Sequence, residues 1–78
     1  MNVMRYLIII ERGEHNLSAY VPDLPGCVTT GATRDGVIAN MREAIELHLQ
    51  GLREGGETTP TSNSDPAFVE IEAFYAAE

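Results

Sequence analysis

The chain has 78 residues, with five arginines, no lysine and twelve acidic residues, a formal net charge of −7. That length is one domain with a small core, and the acidic balance argues against direct nucleic-acid binding, which needs clustered cations on phosphates. Cys27 is the only cysteine, which excludes an internal disulfide, and one cysteine with His15 and His48 lacks the paired ligand spacing of a zinc site.

The first apolar run, Tyr6 to Ile10, is closed by Glu11-Arg12. It is too short for a secretory h-region of about 7–15 residues or a membrane span of about 20. The expectation is therefore a soluble, cytoplasmic protein with no membrane contact. Rich in isoleucine, the run reads as a strand over residues 4–11, apolar on both faces. Gly13-Glu14-His15-Asn16 is the polar loop after it. Residues 17–21 alternate, with Leu17, Ala19 and Val21 on one face and Ser18 and Tyr20 on the other. They read as the second strand of a hairpin.

Pro22-Asp23-Leu24-Pro25-Gly26 must stop that strand. Proline fixes φ and donates no ladder bond, and Gly26 permits a backbone shape closed to other residues. The turn is rigid yet carries Leu24 and is entered by Tyr20-Val21. It is either a connection only or a shaped surface. Residues 27–31 (Cys-Val-Thr-Thr-Gly) read as a third strand, β-branched at its centre.

Thr33 is a good helix N-cap, and Asp35 suits the positive end of the helix. Gly36 stands where an acidic residue would close a capping box, so the reciprocal bond is absent. Val37, Met41, Ala44, Ile45, His48, Leu49 and Leu52 recur at spacings of three and four. They predict a helix over 34–53 with one face on a sheet. Gly51 suggests an early fray, and Gly55-Gly56 a stop. Residues 57–66 form a polar linker. Residues 67–75 alternate again, with Val69, Ile71 and Ala73 opposite Glu70 and Glu72, and read as a last strand. The order β-β-β-α-β gives an α+β fold, one helix on a sheet, in a single domain over 1–78.

Pro22-Asp23-Leu24-Pro25-Gly26-Cys27, then Gly31-Ala32-Thr33 entering a helix, resembles the HicB family, the antitoxin half of bacterial HicA–HicB toxin–antitoxin pairs. The prolines and glycines sit at fixed offsets, and the likeness runs from Arg5 to Phe74. The resemblance implies a truncated ribonuclease-H-like fold and a type II antitoxin role: direct binding that neutralises a HicA-like, basic, mRNA-cleaving toxin. Family members often add a C-terminal DNA-binding domain. This sequence stops just after the last predicted strand, so such a domain is not expected here.

No catalytic set is legible. His15 reads as a solvated loop residue and His48 as a residue at the core's edge. Cys27 has no neighbouring cation to activate it and reads as a small buried hydrophobe. A nuclease would need gathered carboxylates around metal ions. Only Asp23, Glu70 and Glu72 come from near strands, and Asp23 is better explained by a local side-chain-to-backbone turn bond. A degenerate ribonuclease-H-like enzyme and a stand-alone accessory or ligand-binding module stay open beside the antitoxin reading. The expectation is binding without catalysis, metal or cofactor. The candidate partner contact is Tyr20, Pro22, Asp23, Leu24, Pro25 and Gly26, with Tyr20 and Leu24 as apolar anchors. An acidic domain attracts a basic partner, although net charge also keeps a small protein soluble. A small core without staples predicts a homodimer or tetramer.

Overall fold

Alternation of buried and outward residues builds a three-stranded antiparallel sheet. In the computed structural model, which describes residues 3–73, strand β1 is Ile9–Arg12, β2 is Leu17–Tyr20 and β3 is Val28–Gly31. The sheet order is β1-β2-β3. The register sets Ile9 opposite Tyr20 and Ile10 opposite Ala19, then Ala19 opposite Thr29 and Tyr20 opposite Val28. Opposed residues share a face. Ile10, Ala19 and Thr29 therefore point to one side, and Ile9, Tyr20 and Val28 to the other.

Helix α1, Arg34–Glu54, covers the first side. It begins as the sequence predicts. Thr33 is the N-cap, and its Oγ1 accepts a hydrogen bond from the Gly36 N–H at 3.0 Å. The helix approaches β3 closely because Gly31 has no side chain. A Cβ there would lie 2.7 Å from the Val37 nitrogen and 2.8 Å from its Cα. The helix does not fray at Gly51. It ends in a Schellman motif, with Gly56 N–H donating to the Arg53 carbonyl and Glu57 N–H to the Leu52 carbonyl. Gly56 takes the left-handed conformation this requires, φ 73°.

The core is Leu17, Ala19, Val21, Leu24, Cys27, Val37 and Met41. Fully burying a side chain such as Val37 or Leu24 is worth about 1.5–3 kcal/mol. Ile8, Ile10, Ile38, Ala44, Ile45 and Leu49 pack around this centre half-buried. His48 is half-buried on the same stripe.

The α+β arrangement of three antiparallel strands and one helix is present, but two expected elements are shorter or absent. The first strand was expected over 4–11 and is paired only over Ile9–Arg12. Continued backward, the register would set Leu7 opposite Pro22, which has no N–H to donate. The last strand was expected over 67–75. Residues 67–73 belong to no strand, and every one of them is exposed; Phe74 and Tyr75 lie outside the described residues. Alternation alone does not make a strand, because a strand needs a partner's backbone.

Candidate partner-binding site

The Pro-rich segment is two β-turns in series. Leu24 N–H donates to the Val21 carbonyl, and Cys27 N–H donates to the Leu24 carbonyl, each at 3.1 Å. Pro22 and Pro25 hold the second position of each turn, where their fixed φ is already correct. Gly26 supplies the positive φ, 85°, of the second. A third bond, Val21 N–H to the Cys27 carbonyl at 3.2 Å, closes the loop on itself.

This geometry sorts the candidate residues. Leu24 is the corner shared by both turns, and its side chain is 0% exposed. It is a core residue that supports the turn from beneath, so the expectation that it is a surface anchor is corrected. Pro22, Pro25 and Gly26 are exposed on the rim. Tyr20 is 39% exposed. Val28, its cross-strand neighbour, is 65% exposed. With half-buried Ile9 they form an apolar row on the uncovered face of the sheet, beside the turn. Sequence reading missed Val28 and Ile9 as surface candidates. Their signal was the register, which sets both opposite strand residues of Tyr20's face.

Asp23 does make a side-chain-to-backbone bond, but not a local one. Its Oδ2 accepts from Asn63 N–H and Ser64 N–H at 3.1 Å each, and from Ser62 Oγ at 3.3 Å. Partial burial pushes its carboxyl up, and the hydrogen bonds from Ser64, Asn63 and Ser62 outweigh that and hold it below the usual carboxylate range. The linker is thus pinned to the body. Tyr6 adds a second pin by donating its hydroxyl to the Pro60 carbonyl. Burial, with the Asp23 charge added, raises the Tyr6 hydroxyl above its ordinary value.

The remaining titratable candidates stand apart. His15 is solvent-exposed beside Glu14, 3.2 Å away. Burial raises the Cys27 thiol, which keeps it protonated and unreactive. Glu70 and Glu72 are exposed on the segment 67–73, while Asp23 binds the linker. Among the described residues, no three His, Cys, Asp or Glu side chains are grouped to hold a metal ion. No helix among them is long and apolar enough to cross a membrane.

Comparison with known proteins adds to this geometry. A protein of Thermoplasma acidophilum, UPF0150 protein Ta0767, is 35% identical over 80% of this chain and 91% of its own length. Antitoxin HicB 2 of Photorhabdus laumondii is 33% identical over 96% of this chain and 55% of its own. An uncharacterised 14.9 kDa protein of Haemophilus phage HP1 is 40% identical over 77% of this chain. The chain thus spans about half the length of the phage protein and of HicB 2. No solved structure matches it. The family model for the HicB-like antitoxin of bacterial toxin–antitoxin systems matches residues 6–76, and to that family this chain belongs.

Proposed function

We propose that this chain acts as the antitoxin of a type II toxin–antitoxin pair, in the cytoplasm and as a homo-oligomer. It binds a small, basic, HicA-like toxin directly, blocks its mRNA cleavage and catalyses nothing itself. The family match over residues 6–76 carries this reading.

The contact surface is the uncovered sheet face with the rim of the double turn: Ile9, Tyr20 and Val28, flanked by Pro22, Pro25 and Gly26. Both turns are held by backbone bonds and prolines, so docking costs little conformational entropy. A net charge of −7 favours encounter with an RNA-binding, cationic surface.

The test is RNA cleavage by a toxin encoded beside this gene, with calorimetric titration of the pair. The expected result is stoichiometric inhibition, with affinity falling as salt rises, since ions screen the attraction over about 10 Å at 0.1 M. Val28→Asp weakens the complex by roughly tenfold or more, about 1.4 kcal/mol, with an unchanged melting curve. Unimpeded cleavage at excess antitoxin rejects the antitoxin reading. Inhibition that Val28→Asp and Tyr20→Ala leave intact moves the contact off this face.

A further inference from the structure

Two parts of the molecule are unfinished in complementary ways. The first is the outer edge beside β1. Residues 4–8 lead into β1 and, among the described residues, make no backbone hydrogen bond to another segment. Their β2 neighbour gives out. Leu7 would oppose Pro22, which has no N–H to donate. Because α1 lies over β2 and β3, a groove of about 570 Å³ is left between residues 4–8 and the helix. Its floor is apolar, with Ile8, Ile38, Ile45 and Leu49, and Arg5 and Arg42 stand in its lining. The opposite edge of the sheet is less available, because Asn40 Nδ2 donates to the Thr30 carbonyl of β3 at 2.9 Å.

The second part is the segment 67–73. It leaves the body directly after the pinned linker and stands in solvent, with Phe68 100%, Val69 83% and Ile71 85% exposed. The Cα radius of gyration is 15.7 Å, against about 11.5 Å for a compact chain of this length. Three large apolar side chains in a row of seven residues are costly to leave in water.

We infer that this arm is a strand made for a second copy of the chain: it lies along residues 4–8 of the other molecule, over its groove, and the exchange is reciprocal. The lengths agree, since seven extended residues span about 23 Å and the five-residue edge about 17 Å. The faces agree as well. Ile8 shares the helix-facing side of Ile10, so Leu7 falls on the outer side. An added strand with Val69 and Ile71 toward Ile38, Ile45 and Leu49 turns Phe68, Glu70 and Glu72 outward, the side of Leu7. A two-fold arrangement makes both contacts at once and finishes both sheet edges.

This deepens the homo-oligomer reading and is independent of the toxin. Sedimentation of the full chain across the micromolar range is expected to show a dimer. Ile71→Asp weakens it by roughly 30-fold or more, about 2 kcal/mol, the level of an interface hot spot. Chains carrying Ile71→Cys, mixed with chains carrying Leu49→Cys, form a disulfide heterodimer on oxidation, while buried Cys27 stays out of the reaction. A monomer at every concentration overturns both the oligomer and the arm exchange. A dimer that Ile71→Asp leaves unchanged, or a link that forms only when one chain carries both cysteines, overturns the exchange and leaves the oligomer standing.

Discussion

Leu24→Ala tests the reasoning about the double turn most directly. The side chain is 0% exposed, sits where both turns meet, and belongs to the core cluster with Val37 and Met41. Truncating a buried leucine costs about 2–5 kcal/mol, the loss of transfer free energy plus the cavity left behind. A single core in a chain this short rarely supplies more than about 3–5 kcal/mol, so the substitution removes much of the total. At about 4–8 °C per kcal/mol for a domain this size, the melting midpoint falls by at least about 8 °C, and the variant is partly unfolded at ambient temperature. The backbone bonds at Val21, Leu24 and Cys27 cannot compensate, because none involves the side chain. The assay is thermal unfolding by circular dichroism, with Tyr20→Ala, a half-open surface position, as the comparison. A loss below about 1 kcal/mol in Leu24→Ala, or a larger one in Tyr20→Ala, refutes the placement of Leu24 as core and Tyr20 as surface.

Two further perturbations follow from close contacts. Gly31→Ala puts a Cβ within 3.0 Å of three Val37 atoms, two of them backbone, so α1 must lift from β3; the expected cost is about 1–3 kcal/mol, and a melting curve equal to the parent's refutes it. Asp23 has a folded pKa below its unfolded value of about 3.9, so its contribution to linker docking is complete above that value and lost as pH falls through the lower, folded one. The protection of the Asn63 and Ser64 amides, exchange measured against the intrinsic rate at each pH, should therefore fall only below the ordinary carboxylate range, and Asp23→Asn should lower it at neutral pH; protection that changes between pH 5 and 7, or ignores the substitution, contradicts the pin.

The local elements were legible because local chemistry decides them. Alternation placed 17–21, β-branched residues placed 27–31, and spacing with Thr33 placed the helix. What depends on a distant neighbour was not. Residues 4–8 look like a strand from the apolar run they share with Ile9 and Ile10, but Pro22, far along the chain, removes the partner of Leu7. Gly51 resembles a weak point, yet the Schellman bonds to Leu52 and Arg53 hold the helix to Glu54. Leu24 looked like an exposed anchor because turns lie on surfaces; only two turns in series aim that one side chain inward. Asp23 was correctly read as binding backbone N–H groups, but its donors are at Asn63 and Ser64, and no local pattern names them.

The pin at Asp23 also sets a leash. With Ser64 held, only Asp65 and Pro66 separate anchored chain from the arm, a reach of about 7 Å. Pro66 further confines Asp65 to extended backbone. A leash so short and stiff cannot turn the arm back alongside the edge it has just passed, and it points the arm toward another molecule. Once the carboxylate lets go, the next hold is at Pro60, and the slack grows to six residues, about 20 Å. The arm can then close on its own body. On the proposed arm exchange, one carboxylate thereby sets how far the arm can reach.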